Sequence, residues 1–224
     1  KVSLKKGTNY LKVYKYNSGE PNTQYSFSVG SPSVKKSKLI GDDRYKTAIK
    51  VSNRGWVKAD NVVLVNSSAI VDALSATPFA KMKNAPILLT EKDKLNEDTK
   101  KEITRLCAKN VYVIGGTSII SGNIVSELKS MNLKVERISG DTRYTTSLAI
   151  AKKLGTVSEI AVVNGVTGLA DAVSIAPVAA SKKMPIILAS PDTGTKAFDE
   201  YIKSNNIKTS YVIGGENAIS KDVA

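Results

Sequence analysis

The sequence predicts an α/β protein made of two tandem three-layer modules, each a parallel sheet between helices, preceded by a short β-hairpin. The first observation is an internal repeat, because residues 38–125 recur at residues 137–224 with a constant offset of 99 positions and no gap. The second is that short Val/Ile/Leu runs alternate with amphipathic helical segments inside each copy. Such apolar runs are typical of strands buried on both faces, as in a parallel sheet covered by helices.

The first 30 residues follow a different pattern from the repeats. Apolar and polar residues alternate on both sides of Ser18-Gly19-Glu20-Pro21, which is turn chemistry, so a β-hairpin is expected. An isolated hairpin is marginally stable in water. The hairpin over residues 1–30 therefore either packs on the repeats or ends an upstream β-sandwich domain. Residues 31–37 are small, polar and basic, which indicates a linker.

The first repeat, residues 38–136, predicts helices and strands in regular alternation. Asp42 or Asp43 caps a helix that runs to about residue 52. The other expected elements are strand 61–65, helix 72–82, strand 86–89, helix 96–108, strand 111–114, helix 121–131 and strand 134–138. The second repeat, residues 137–224, shows matching strands at 160–163, 185–188 and 210–213. The crossovers between these parallel strands should be right-handed.

The composition excludes several classes of enzyme. The chain has 224 residues, no histidine and one cysteine. Ser/His/Asp and Cys/His catalysis both need histidine, and the usual zinc sites need histidine or several cysteines. We therefore expect no catalytic residue, no metal and no cofactor in the repeats. No stretch approaches the roughly 18 consecutive apolar residues that a membrane helix requires.

The charge of the chain suggests an anionic partner. The net charge is +13, and it divides into +6 for residues 1–37, +5 for residues 38–136 and +2 for residues 137–224. A basic balance favours polyanions as partners. Because the repeats themselves are only mildly basic, they should bind such a partner through a local patch.

Two charged motifs recur in both copies. Gly41-Asp42-x-Arg44-Tyr45-x-Thr47 returns at residues 140–146, and the Asp-Ala-x-Ser-x-x-Pro motif of residues 72–78 returns at residues 171–177. The arginine can grip an anion through its forked guanidinium, or it can pair with a motif aspartate and fix one repeat against the next. The second motif reads first as a helix cap and a bend. The motif residues expected to be structural are Asp42, Tyr45, Asp72, Asp141, Tyr144 and Asp171.

A glycine pair follows the third strand of each repeat and precedes a helix. Free backbone N–H groups and the helix dipole can hold phosphate or carboxylate at such a position. The alternative is that glycine serves only a tight turn or a close backbone approach. Neither pair fits a nucleotide-binding fingerprint. The residues predicted to bind an anionic polymer are Arg44, Gly115, Gly116, Thr117, Arg143, Gly214, Gly215 and Asn217.

Five motifs in the same order, in both copies, resemble the cell wall binding repeat type 2 family. In the first copy they are Gly-Asp-x-Arg-Tyr-x-Thr, Val-Leu-Val-Asn, Asp-Ala-Leu-Ser-Ala-x-Pro, Ala-Pro-Ile-Leu-Leu-Thr and Val-Tyr-Val-Ile-Gly-Gly. The resemblance covers residues 38–224 and implies toprim-like modules that pack as a pseudo-threefold trio. A likeness of fold does not carry chemistry with it. Because the second copy stops at the counterpart of Val125, the resemblance implies that a third repeat or another chain completes the trio.

The resemblance also implies a function and a location. Members of this family are surface and S-layer-associated proteins of Gram-positive, spore-forming bacteria, held noncovalently on an anionic secondary wall polymer. The chain is thus expected to be a noncatalytic, extracellular cell wall anchor that binds a teichoic-acid-like polymer and neither spans a membrane nor binds nucleic acid. Two alternatives stay open. One is part of a peptidoglycan-acting enzyme whose catalytic residues lie elsewhere or among the acids of the first repeat. The other is a nucleic-acid-binding protein, which the charge suggests but for which the stacking platform is missing.

Overall fold

A computed structural model describes residues 37–216 together with residues 218 and 219. The predicted hairpin over residues 1–30, and the linker over residues 31–37 apart from Ser37, lie outside the described residues. The two repeats belong to one compact unit, residues 38–224.

The first repeat is a parallel sheet of four strands with helices between them, as the alternating pattern predicts. The sheet order is β2-β1-β3-β4, and all three strand pairs are parallel. The elements in chain order are α1 Arg44–Gly55, β1 Asn61–Asn66, α2 Ile70–Ser75, α3 Thr77–Met82, β2 Ile87–Thr90, α4 Glu97–Arg105, β3 Asn110–Ile114, α5 Gly122–Ser130 and β4 Lys134–Ile138.

The second repeat reproduces this order within the described residues. Its three strands form a parallel sheet in the order β6-β5-β7. The elements are α6 Arg143–Lys153, β5 Glu159–Asn164, α7 Leu169–Lys182, β6 Ile186–Ala189, a 3₁₀ turn at Lys196–Phe198, α8 Asp199–Asn205 and β7 Thr209–Ile213. The predicted α/β class with tandem three-layer modules and parallel sheets is confirmed.

Side-chain caps explain where helices α1, α4 and α6 begin. The Asp43 carboxylate accepts a hydrogen bond from the Lys46 N–H, 2.7 Å away, at the start of α1. Thr142 and Thr145 form a reciprocal capping box at the start of α6. Asn96 accepts from two N–H groups of α4. Each cap satisfies N–H groups that have no partner inside the helix.

The helix expected over residues 72–82 is two helices in the structure. α2 ends at Ser75 and α3 begins at Thr77. Pro78 has no N–H to donate to the carbonyl four residues earlier, which weakens a continuous helix at this point. The second copy nevertheless keeps a single helix, α7, through the equivalent Pro177.

The constant offset of 99 positions fails at the first strand of each repeat. Val63 pairs with Ile87 and Ala161 pairs with Ile186, so β1 and β5 are related by 98 positions whereas β2 and β6 are related by 99. The second repeat has one residue fewer before this strand and one more after it. The gapless alignment is therefore wrong here, and Asn164 is the counterpart of Asn66.

Hydrogen bonds support this corrected alignment. The Asn66 amide donates to the Ile119 carbonyl, and the Asn164 amide donates to the Ala218 carbonyl. The Oδ1 atom of each asparagine accepts from an N–H group of the loop that follows its strand. Each asparagine thus ties the loop after the first strand to the loop after the third strand.

The repeats pack against each other through apolar contacts. Phe79 of α3 lies in one buried cluster with Ile150 of α6 and with Leu154, which directly follows α6, while Val71 and Leu74 of α2 pack on the core of the second repeat. Continuous apolar burial of this kind fixes the two modules as one body. Helices α2 and α3 of the first repeat therefore meet helices α6 and α7 of the second repeat.

We predict that Gly41→Ala destabilises the protein. A Cβ atom at Gly41 would lie 2.4 Å from the backbone of Lys46 and Thr47, so the first turn of α1 would have to move. We expect a loss of about 1–3 kcal/mol in the free energy of unfolding, measured by urea denaturation. Gly122→Ala is the control, because a Cβ atom there meets nothing within 4 Å. Equal stability of the two variants would contradict the close approach.

Candidate functional site

The carboxyl ends of the strands in the first sheet meet the start of the second repeat. In an open parallel sheet, ligands bind in the crevice beyond these ends, where the strand order reverses. The reversal here lies between β1 and β3. A cavity of 280 Å³ opens at this place. Its lining, named the junction cavity below, consists of Ser68, Ala69, Ile70, Val71, Asp72, Gly116, Ser118, Ile119, Gly140, Asp141, Thr142, Arg143 and Thr146.

A second cavity continues the first along the same edge of the sheet. It measures 430 Å³ and shares Ser68, Ala69, Ser118 and Ile119 with the junction cavity. It also reaches Tyr45, Asn66, Ser67, Glu91 and Lys92. The two cavities together form a groove, named the edge groove below, along the carboxyl edge of the first sheet.

The Gly-Asp-x-Arg-Tyr-x-Thr motif fixes the first helix of each repeat on the loop that follows the first strand. The Gly41 N–H donates to Thr47 Oγ1, and Arg44 Nη1 donates to the Ser67 carbonyl, 2.9 Å away. The Tyr45 hydroxyl lies 2.9 Å from Ser67 Oγ.

The second copy repeats these contacts. Arg143 Nη1 donates to the Gly165 carbonyl at 2.8 Å, and the Gly140 N–H donates to Thr146 Oγ1. The ring of Tyr144 lies against Gly165, where an added Cβ atom would be only 2.7 Å from it. The motif residues thus hold a loop at the carboxyl edge of the sheet in both repeats.

The aspartates expected to pair with the motif arginines lie in different surroundings. Asp42 forms an exposed ion pair with Lys46 at 3.0 Å, and Asp141 lines the junction cavity. Among the described residues, neither Arg44 nor Arg143 has a carboxylate oxygen within 4 Å. The arginines bond to backbone carbonyls instead, because the loop after the first strand lies closer to them than the aspartates do.

Asp72 is an acidic residue of the first repeat that lies at the contact between the two repeats. Its side chain is buried, with 7% relative exposure, and burial raises its pKa above the ordinary value of 3.8. The positive charge of Arg143, from the second repeat, opposes this rise without cancelling it. The predicted pairing of one repeat's aspartate with the next repeat's arginine is thus an attraction across the junction cavity, not a close ion pair.

The glycine pairs occupy turns rather than helix starts. Gly115 has φ of 105° and Gly214 has φ of 132°, which disfavour other residues. The Gly115 N–H already donates to the Ile138 carbonyl, and α5 begins only at Gly122. Gly116 alone of the first pair lines the junction cavity.

The structure brings together only part of the predicted polymer-binding set. Arg143 and Gly116 share the junction cavity, whereas Thr117 lies exposed in the next turn and Arg44 lies outside the described cavities. Gly214 and Gly215 are exposed at the end of β7, and Asn217 lies outside the described residues. The residues that sequence reasoning missed are Ser68, Ser118, Thr142 and Arg137.

Arg137 supports the turn that contains the glycine pair. It donates to the Gly115 carbonyl at 2.6 Å and to the Ser121 carbonyl at 3.3 Å. Partial burial lowers the pKa of its guanidinium below the usual value. The first copy has lysine at the equivalent position 38, so the repeat alignment gave no signal for this role.

Two kinds of feature are absent from the described part of the chain. Within residues 37–216, 218 and 219, no group of three or more Asp, Glu, Cys or His side chains is placed to hold a metal ion. In the same part of the chain, every helix is too short or too polar to cross a membrane.

We predict a pH-dependent gain in stability for Asp72→Asn. Because the folded-state pKa of Asp72 is raised, the wild-type protein gains stability as pH falls through that pKa toward 3.8, and bears the cost of a buried charge above it. The variant lacks this cost. Its Tm should exceed that of wild type at pH 7, and the difference should narrow on acidification.

Asp171→Asn is the matched control for this measurement. Asp171 is the second-repeat counterpart of Asp72 and is only partly buried. The Tm of the Asp171→Asn variant should therefore stay close to that of wild type, both at pH 7 and on acidification. A lower Tm for Asp72→Asn at pH 7 would mean that the attraction to Arg143 outweighs burial.

Comparison with known proteins identifies two relatives in Bacillus subtilis. The chain is 37% identical over 183 residues to the N-acetylmuramoyl-L-alanine amidase LytC of Bacillus subtilis strain 168, covering 82% of this chain and 37% of the amidase. It is 40% identical over 155 residues to the amidase enhancer of the same strain, covering 69% of this chain and 22% of that protein. The chain thus spans well under half the length of these relatives.

Two solved structures share the fold. Cwp6 from Clostridium difficile superposes with a TM-score of 0.79 and 37% identity, over 83% of this chain and 30% of Cwp6. Cwp8 from the same organism gives a TM-score of 0.76 and 40% identity, over 83% of this chain and 32% of Cwp8. The family Cell wall binding domain 2 (CWB2) matches residues 38–125 and 137–224, the two repeats defined above. The chain therefore belongs to the CWB2 family of cell wall binding domains, and its place is the cell wall or cell surface.

Proposed function

We propose that this chain is a noncatalytic anchor that holds a surface protein on the bacterial envelope by binding an anionic, teichoic-acid-like secondary wall polymer. The polymer lies along the edge groove, with its acidic groups near Lys92 and with Arg143 donating to the part of the polymer in the junction cavity. Arg143 uses one of its five N–H donors on Gly165, so the others remain for a ligand.

The continuity of the edge groove is the observation that carries this proposal. Two adjoining cavities with shared lining residues run along the carboxyl edge of the first sheet and end at the second repeat. An extended ligand can contact both at once, and linked contacts of this kind add affinity without any single strong site. Family membership supports the wall as the source of that ligand.

The proposal includes a third module of the same kind, in the same protein or in another chain. In the first repeat, Leu74 and Phe79 are covered by the second repeat. Their counterparts on α7, Val173 and Val178, are 53% and 45% exposed. Asp171 would meet an arginine of the third module as Asp72 meets Arg143.

Any enzymatic activity of the full-length protein is proposed to lie outside these repeats. LytC is an amidase, and the matched region covers 37% of its length, which is compatible with a separate catalytic part. The chain alone should release no muropeptides from purified wall. The proposal includes no cofactor and no nucleic acid. The chain should therefore leave duplex and single-stranded DNA unshifted in a gel at moderate salt.

Retention on purified walls tests the anchor directly. We expect the chain to sediment with walls, to be released as ionic strength rises toward 1 M because salt screens exposed charges, and to be lost from walls whose anionic polymer has been removed by mild acid. The measurement is the bound fraction after centrifugation. Equal retention before and after acid treatment would contradict the proposal.

The third module is tested by Val173→Glu. The side chain is already exposed, so folding should be unaffected, whereas a buried charge would prevent a third module from docking on α7. In the full-length protein, or in a mixture with a third module, we expect wall retention at least about tenfold weaker. Val57→Glu is the control, because Val57 is 91% exposed and lies far along the chain from α7. Equal retention of both variants would remove the third module from the proposal.

A further inference from the structure

The Asp72 carboxylate lacks a hydrogen-bond donor in the described part of the chain. It is about nine-tenths buried and lines the junction cavity. A buried carboxylate without a donor costs free energy, and proteins usually provide one. Arg143 acts on it only at a distance. A donor that enters the cavity from outside can therefore form a hydrogen bond to a carboxylate that no protein donor reaches in the described part of the chain.

The charges of the cavity disfavour a phosphate as that entering group. Asp72 and Asp141 are its two acidic residues and Arg143 is its one basic residue, so the cavity carries a net negative charge when both carboxyls are ionised. A phosphate has only acceptor oxygens at neutral pH and brings further negative charge. Repulsion between like charges in such a site costs more than one arginine returns.

A sugar ring fits the same groups. Each hydroxyl of a sugar both donates and accepts, so it can donate to Asp72 and accept from Arg143. Ser118 and Thr142 add hydroxyl groups around the cavity. Its volume of 280 Å³ lies near the lower limit of roughly 300 Å³ for small-molecule sites, which favours a single ring.

We propose that the junction cavity is a subsite for one neutral sugar ring of the wall polymer, with Asp72 accepting a hydrogen bond from a ring hydroxyl and Arg143 donating to another. This inference rests on the proposed function and assigns its specificity. The acidic groups of the polymer then lie outside the cavity, along the rest of the edge groove. Recognition of the sugar ring determines which polymer the protein binds.

Two pairs of matched variants test the subsite in the full chain. Asp72→Asn removes the acceptor charge, and Asp60→Asn makes the same change at an exposed residue before β1, outside the edge groove. Gly116→Ala adds a methyl group to the cavity with no atom closer than 3.9 Å, and Gly55→Ala adds one at the end of α1, where nothing lies within 4 Å. All four should fold. We expect Asp72→Asn and Gly116→Ala to bind wall polymer at least about tenfold more weakly, and Asp60→Asn and Gly55→Ala to bind as wild type does.

The chemical class of the ligand is tested by amide NMR. Glucose, N-acetylglucosamine and N-acetylmannosamine at millimolar concentration are added separately to labelled protein, and inorganic phosphate is added as the competing probe. We expect at least one sugar to shift the Gly116 and Thr142 amides in wild type but not in Asp72→Asn, and phosphate to leave these shifts in place.

The outcomes separate this inference from the proposed function. If wild type binds walls but Asp72→Asn binds equally well, or if phosphate displaces the sugar, the sugar subsite is overturned and the anchor stands. If no sugar shifts these amides while walls are still bound, the subsite is likewise overturned. If wild type does not bind walls at all, the proposed function itself fails.

Discussion

The packing of α2 and α3 against α6 and α7 is the contact on which the candidate site depends. It places the start of the second repeat at the carboxyl edge of the first sheet, so that Arg143 faces Asp72. Neither repeat alone contains the junction cavity, because its lining comes from both. The site is therefore a property of the pair, and its geometry is as rigid as the shared apolar core that joins the modules.

The motifs that stand out in the sequence mainly stabilise this arrangement. Arg44 and Arg143 bond to backbone carbonyls, and Gly41 permits a close approach to the first turn of α1. A motif that repeats in both copies marks what each module needs in order to fold. Asp72 differs from the other motif residues, because its buried side chain accepts no hydrogen bond from a protein group in the described part of the chain.

The sequence was a good guide to the elements and a poor guide to the contacts. Apolar periodicity located the strands because burial on both faces demands it, and the parallel sheets followed. The sequence pattern does not reveal the one-residue shift at β5, because one deletion before the strand and one insertion after it restore the offset of 99 positions. The partners of Arg143 could not be predicted either, since they depend on which loop the tertiary fold brings to the guanidinium.

The contact between the repeats joins two different faces, the α2/α3 face of one module and the α6/α7 face of the next. Unlike faces can repeat indefinitely, and they close into a ring only if the rotation between neighbours divides a full circle. In an open row, the number of interfaces is one less than the number of modules, whereas in a ring the two numbers are equal. A third module that closed the ring would thus raise the number of interfaces, each with its own junction cavity, from one to three. The anchoring region would become only half as long again.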